Sequence, residues 1–428
     1  MWSGVKDPYL YTIEVSLTDK QSGQRDTVSD QIGIRTLVYD QERGFILNGE
    51  PIKLRGVNRH QDWQDRGWAI GKEEHERDFQ LIREIGSNAV RLAHYPQDPY
   101  VLKLCDRLGL IAFMEIPLVG WIDPGEAFRE NLITQLREMI SQHYNRASIP
   151  MWGLWNELMH QAPKDLVSPI PLVEELHRIA LAEDPSRPTV AAANDSSDAA
   201  PGVRDITELI SWNVYPGWYE DTSPDDMQQI ILDKHEVDGR GKIGISEYGA
   251  GASIHQHEDW ATLKKPEARS PWHPEEYQAY VHERAWSAIE ASDQLWGSFV
   301  WNMFDFAADH RNEGDRPGIN DKGLVTHDRK VRKDAFYFYK ASWTDEPVIH
   351  ITSSRYSPRP AGIATVKVYS NASDVSLTLN GNSLGTGARD GVVFLWEKVD
   401  LQPGKVNVCA KATFGDRVIE DECTWITE

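Results

Sequence analysis

The first 43 positions carry apolar residues in short alternating runs. Y-L-Y-T-I-E-V-S-L, the stretch around R-D-T-V-S-D-Q-I-G-I-R, and T-L-V-Y each read as a strand. Clusters of Gly, Asp and Ser separate them. Three short strands are too few for two packed sheets, where about seven are usual. Residues 1–43 therefore read as the C-terminal part of an immunoglobulin-like β-sandwich. On that reading the chain is an N-terminally truncated product or fragment of a longer protein.

From about Phe45 the period changes. Short apolar strands alternate with long amphipathic segments, the mark of βα units. The strand candidates are I-K-L-R-G-V-N, N-A-V-R-L, L-I-A-F-M-E, I-P-M-W-G-L-W-N, P-T-V-A-A-A, L-I-S-W-N-V-Y, K-I-G-I-S-E and L-W-G-S-F-V-W-N. Helical patterns follow several of them, over Glu73 to Ile85, Glu126 to Gln142 and Pro274 to Ala291. Eight such units predict an α/β fold, a (β/α)₈ TIM barrel over residues 44–344. Beyond Trp343, runs such as A-T-V-K-V-Y-S and V-S-L-T-L-N are joined by Asn-Gly, Asp-Gly and Pro-Gly. That is the turn chemistry of a second immunoglobulin-like β-sandwich, at 345–428.

Composition narrows the partners. The 428 residues carry a net charge of −21, which argues against nucleic acid or an anionic membrane surface as the main partner. No apolar run reaches the length of a membrane span, and the first residues contain no signal-peptide core. The 16 Trp residues are many for one chain; Trp faces stack on sugars, but composition alone leaves core packing ahead. Cys105 reads as a small buried hydrophobe. Cys409 and Cys423 lie around a turn at Gly415-Asp416, either bridged or as two reduced thiols, so the redox compartment stays open.

Candidate chemistry lies where the barrel strands stop, because the active site of this fold sits at their C-terminal ends. Strand one ends in Asn58, Arg59 and His60, and strand two near Arg91 and His94. Strand three ends in Glu115 and strand four in Asn156 and Glu157. Strand six ends in Asn213 and Tyr215, strand seven in Glu247 and Tyr248, and strand eight in Trp301, Asn302 and Asp305. Glu157 and Glu247 stand out, since an unpaired buried carboxylate is costly and needs a partner or a task. They read either as structural ion pairs or as a glycosidase pair. In the second case one acid protonates the leaving oxygen and the other attacks the anomeric carbon, about 5–5.5 Å away in a retaining enzyme.

The words L-N-G-E-P-I-K-L-R-G-V-N-R-H, N-A-V-R-L-A-H-Y-P, L-C-D-R-L-G-L, W-N-E and S-E-Y-G-A together resemble glycoside hydrolase family 2, the β-galactosidase and β-glucuronidase family. The resemblance runs from about residue 8 to 343. It implies that Glu157 is the acid/base and Glu247 the nucleophile of a retaining exo-acting β-glycosidase. It further implies that Arg91 and Asn156 lie near the nucleophile and the sugar 2-hydroxyl. His60 and His94 would bond sugar hydroxyls, Tyr215 would contact Glu247, Asn213 would be a further substrate-binding residue, and Trp301 would line the sugar site. Glu115 either holds Arg91 or touches the sugar. Some magnesium-dependent relatives carry a further Glu and His after strand three; E-I-P-L-V-G-W has neither, so no metal or other cofactor is expected.

The substrate rests on P-G-I-N-D-K-G-L-V-T. In family glucuronidases an Asn and Lys spaced like Asn320 and Lys322 grip the substrate carboxylate. The surrounding words, W-N-M-F-D-F-A-A-D-H-R-N-E-G-D-R and K-D-A-F-Y-F-Y-K-A-S-W, look more like bacterial β-galactosidases with an added C-terminal sandwich. In that group Lys322 would pair with Asp305, Asp309 or Glu313, an acidic run otherwise read as a solvated loop. The resemblance thus favours a β-galactosidase acting on terminal β-D-galactosides, with a β-glucuronidase as the alternative. A reading of another class is a carbohydrate-binding fragment, inactive through truncation. Oligomeric state is not legible, and export to the periplasm or cell exterior fits a scavenging relative.

Overall fold

The computed structural model describes residues 1–160, 162 and 167–428. A hairpin of β1 (Tyr11–Thr18) and β2 (Arg25–Ile32) comes first. Its apolar face carries Val15, Leu17 and Val28, which are 60%, 75% and 65% exposed. The third run, β3 (Leu37–Asp40), does not join that hairpin. It pairs with β4 (Gly44–Leu47), which pairs with β5 (Glu50–Ile52), in a separate three-stranded sheet that crosses the expected boundary at 43.

Eight parallel strands then close a barrel in chain order. They are β6 (Leu54–Arg59), β7 (Ala89–Leu92), β8 (Ile111–Glu115), β9 (Trp152–Asn156), β10 (Thr189–Ala193), β11 (Leu209–Asn213), β12 (Ile243–Glu247) and β13 (Leu295–Val300). Every residue of β7 to β13 is buried. That is why these strands read as near-continuous apolar runs: they are covered on both sides. Around them pack α1 (Lys72–Glu84), α2 (Pro99–Leu108), α3 (Glu126–His143), α4 (Ile170–Glu183), α5 (Met227–Asp238), α6 (Glu275–Ala291) and α7 (Asp334–Trp343). Asp98 caps α2 by accepting from the Tyr100 amide, with Pro99 at its first position, and Gly109 closes it at φ 75°. Cys105 is buried on this helix.

The amino-terminal end of the barrel is sealed. Leu54, Ala89, Ile111 and Leu209 open their strands there and, with Val190 near the start of β10, pack with Trp2, Leu37, Phe45, Leu47 and Trp296. Trp2 is fully buried, and its indole N–H donates to the Asp106 carbonyl at 2.8 Å.

Between β13 and α7 lies the short hairpin β14 (Phe306–Ala307) and β15 (Ile319–Asn320). The last 80 residues form two four-stranded sheets. One orders β16 (Ile349–Ile351), β17 (Gly362–Ser370), β21 (Val393–Leu401) and β20 (Ala388–Asp390). The other orders β19 (Asn382–Thr386), β18 (Val375–Leu379), β22 (Gly404–Phe414) and β23 (Arg417–Thr427). Trp396 is in their shared core, and Tyr356 stacks on His257 of the barrel. Cys409 sits opposite Glu422 and Cys423 opposite Val408, on opposite faces of the ladder, and both thiols are free. Ion pairs tie the sandwich to the barrel: His350 Nε2 to Asp334 and Lys367 Nζ to Glu283, each at 2.8 Å.

Trp2→Ala is expected to destabilise the chain by about 3–5 kcal/mol through the cavity it leaves under the barrel. The lowered midpoint of chemical unfolding measures it.

Candidate active site

Side chains at the carboxyl ends of the strands alternate, and those aimed inward converge on Arg91 of β7. Its Nε and Nη2 form a fork on Glu115, to Oε2 at 3.0 Å and Oε1 at 2.9 Å. Its Nη1 donates to Glu247 Oε1 at 2.8 Å and Asn58 Oδ1 at 3.1 Å, and its Nη2 to Asn156 Oδ1 at 2.8 Å. One guanidinium with no exposed surface thus joins β7 to β6, β8, β9 and β12. A planar fork matches a carboxylate in a way an ammonium cannot. Gly153 of β9 makes room for the fork, since a Cβ there would meet the Glu115 Cβ at 2.4 Å.

His94 Nδ1 lies 2.7 Å from Glu115 Oε1, which calls for a proton on Nδ1. Both Glu115 oxygens are therefore engaged, by Arg91 and His94. Of the two readings for Glu115, the contacts match the one that holds Arg91. Burial opposes ionisation of Glu115, but Arg91 and His94 outweigh it and hold the carboxyl below its usual range.

The two singled-out carboxylates differ in setting. Glu247 is 5% exposed and Glu157 half-buried. Tyr215 donates to Glu247 Oε2 at 2.6 Å. Burial pushes the Glu247 carboxyl up, Arg91 and His94 pull it back, and Glu157 pushes it further. The net shift is upward, so burial outweighs the stabilisation expected from Arg91 and Tyr215. Glu157 accepts from Asn213 Nδ2 at 2.9 Å, and Asn213 Oδ1 accepts from the Ser246 hydroxyl at 2.6 Å. Glu157 has φ 48°, in the left-handed region, which costs a non-glycine residue on the order of 1–2 kcal/mol. Such strain is commonest at functional sites.

Aromatic rings wall the pocket. His94 stacks on Trp301 at 5.1 Å between centroids, and His60 stacks on Phe306 at 4.2 Å. Burial, then the neighbouring His94, keeps His60 far below the usual imidazole value and so neutral. Arg59, between two inward residues, points out of the barrel to Asp78 at 2.9 Å and takes no part.

Lys322 is buried, with its side chain 1% exposed. Its ammonium lies 4.8 Å from the Tyr219 ring centroid and 5.4 Å from that of Trp218. Among the described residues Nζ makes no hydrogen bond. Glu313 Oε1 is 3.6 Å away, but that oxygen accepts from Arg311 Nη1 at 2.6 Å. Asn320 Oδ1 accepts from the Lys322 amide at 3.2 Å. Of the acids offered as partners for Lys322, Asp305 pairs with Lys333 at 2.8 Å and Arg316 at 3.3 Å, and Asp309 is exposed. The run is not a solvated loop, because Asp305 and Glu313 are buried.

Asn58 and Ser246 support the site without having been assigned a role from sequence. Asn58 is two positions before His60, hence on the same face of β6, which is the signal that marks it. Trp218 and Tyr219 reach Lys322 from loops, and Arg311 reaches Tyr219 and Glu313 from another, where no periodicity points to them. Among the described residues, one group with metal-ligand spacing is Cys409, Glu420 and Glu422, on the last hairpin and away from the strand ends.

A closed parallel barrel with its polar groups gathered at the strand ends defines the chain as a TIM-barrel protein of the enzyme type. The family described as "Glycosyl hydrolases family 2, TIM barrel domain" matches residues 38–345, and a domain of unknown function matches 362–419. The chain belongs to glycosyl hydrolases family 2. It is 44% identical, over 99% of its length, to a β-glucuronidase of Bacteroides fragilis, of which it covers 60%. A solved Bacteroides fragilis structure, provisionally named a β-galactosidase, superposes with a TM-score of 0.91 at 35% identity, over all of this chain and 62% of that one. A Bacteroides uniformis β-glucuronidase covalently bound to cyclophellitol-6-carboxylate aziridine superposes with a TM-score of 0.91 at 31% identity, over 99% of this chain and 52% of that one. The chain therefore spans between half and two thirds of the length of these relatives.

Arg91→Met strands two buried carboxylates. It is expected to destabilise the fold by about 3–5 kcal/mol, read as a lowered unfolding midpoint.

Proposed function

We propose that residues 44–344 are the catalytic unit of a retaining β-glucuronidase, flanked by sandwich segments at 1–43 and 345–428. Glu247 attacks the anomeric carbon while Glu157 protonates the departing glycosidic oxygen. A glycosyl-enzyme ester forms at Glu247. Glu157, now a carboxylate, takes a proton from water, which attacks the same carbon and frees the sugar and Glu247. Burial raises the Glu247 carboxyl, and Arg91 and the Tyr215 hydroxyl limit that rise and so favour the ionised form that attacks. Asn213 aims Glu157. His60, His94 and Asn156 bond sugar hydroxyls, and Trp301 forms a wall.

The observation that carries the choice of sugar is Lys322. A buried ammonium without a hydrogen bond is costly, and a substrate carboxylate, with the Asn320 amide beside it, satisfies it. The names of the relatives support the same choice, as does the carboxylate on the inhibitor bound by the Bacteroides uniformis enzyme. The β-galactosidase reading is second. It is favoured by Glu313, 3.6 Å from Lys322, and by the Bacteroides fragilis structure named above.

Side-by-side assays separate the readings. p-Nitrophenyl β-glucuronide is expected to be cleaved well and the β-galactoside poorly. Lys322→Ala should lower kcat/KM on the glucuronide by about a hundredfold. Cleavage of the galactoside alone reverses the choice, and cleavage of neither leaves a carbohydrate-binding fragment. Glu247→Gln should abolish turnover. Glu157→Gln should spare activated aryl leaving groups, which need little protonation, and lose alkyl ones. Equal loss on both kinds contradicts the acid role.

The pH profile tests the Tyr215 contact. Its hydrogen bond lowers the Glu247 pKa, and attack requires Glu247 ionised, so activity rises as pH rises through that value. Tyr215→Phe removes the bond, the pKa rises, and the acid limb of kcat/KM moves to higher pH, by up to about one unit. An unmoved limb shows that Tyr215 does not tune the nucleophile.

A further inference from the structure

Arg311 and Glu313 have no part in the reaction above, yet they stand beside its anion site. Both lie in the loop joining β14 to β15. Backbone bonds fix that loop: Ala308 N–H to Gly318 O at 2.8 Å, Gly318 N–H to Arg311 O at 2.8 Å, and Gly314 N–H to Ser270 O at 2.9 Å. A single carboxylate oxygen, Glu313 Oε1, sits between two cations. It is 2.6 Å from Arg311 Nη1 and 3.6 Å from Lys322 Nζ, so it is hydrogen-bonded to the first alone. Arg311 Nη1 also donates to the Tyr219 hydroxyl at 2.8 Å, and the Tyr219 ring packs against the Lys322 ammonium. Arg311 is thereby anchored at two points, and it holds Glu313 in turn.

We propose that Arg311 is a positioning residue that sets the charge preference of the site. By holding Glu313 it prevents that carboxylate from closing on Lys322, and so leaves the ammonium open to the carboxylate of a uronic acid. The inference rests on the glucuronidase reading. Glu313 needs to move by only about 1 Å to reach hydrogen-bond range of Lys322. Once there it would neutralise the ammonium and repel an incoming carboxylate in a water-poor pocket, where like charges interact strongly. A neutral hexoside would be indifferent to the change. Arg311 and Glu313 together then act as a selectivity element: the acid can occupy the anion site, and the guanidinium keeps it out.

The test measures KM and kcat on p-nitrophenyl β-glucuronide for the wild type, Arg311→Met, Glu313→Gln, the double variant and Lys322→Ala. Arg311→Met is expected to raise KM about tenfold with kcat little changed, a loss of substrate binding and not of chemistry. Glu313→Gln alone should leave KM unchanged or lower it. The double variant should recover KM to within about threefold of wild type, because the competing charge is gone. An unchanged KM in Arg311→Met overturns the inference. So does a double variant as impaired as Arg311→Met, which would mean that Arg311 touches the substrate itself or shapes the loop. If Lys322→Ala is impaired while Arg311→Met is not, only this inference falls. If the wild type cleaves no glucuronide, or Lys322→Ala keeps its KM, the substrate reading falls and this inference with it.

Discussion

The buried Arg91 guanidinium is the charge around which the end of the barrel is arranged. Removing an arginine from water is tolerated only when each of its donors finds an acceptor and its charge is balanced. Here the acceptors come from four other strands, so those strands must end at the same level and aim their last inward side chains at one point. The polar strand endings follow from this requirement. So does the unequal behaviour of the carboxylates. Glu115 takes two bonds from Arg91 and stays ionised, while Glu247 takes one and is pushed upward by burial and by Glu157. One cation between two acids leaves the second acid responsive to its surroundings, as the nucleophile proposed for this site needs to be.

Much of this was legible in the chain because it is periodic. Eight apolar runs mark the eight barrel strands, and their polar endings mark Arg91, Glu115, Asn156, Glu157, Asn213 and Glu247 as neighbours. Alternation within β6 also explains why Asn58 and His60 turn inward while Arg59 leaves for Asp78. What was not legible depends on loops and on pairing at a distance. T-L-V-Y looked like a third strand of the first sheet, yet it pairs with a segment that follows it. Strand propensity says nothing about partner choice. The acidic run from Asp305 to Asp315 reads as solvated because its charges have no period; Asp305 is buried against Lys333 and Arg316, and Glu313 against its near neighbour Arg311 within the loop.

The substrate question shows the same limit in sharper form. The words around Lys322 resemble one branch of the family, while the β-glucuronidase names of two relatives point to another and the name of a third to the first. Side-chain identity alone does not decide it, since a lysine with an acid nearby is either neutralised or available. On the glucuronidase reading proposed above, the deciding quantity is a difference of 1.0 Å (3.6 − 2.6) between the two cations that face Glu313 Oε1. Selectivity for charge then depends on how three charged groups share contacts, with Lys322 the one that makes no hydrogen bond among the described residues.

The sealed floor of the barrel, where Trp2 and Phe45 fill the space beneath the strands, makes the pocket a blind well. Everything that enters must leave by the mouth through which it came. For the two-step displacement proposed above, a single doorway sets an order of traffic: the aglycone clears it before water takes its place, and the sugar departs last.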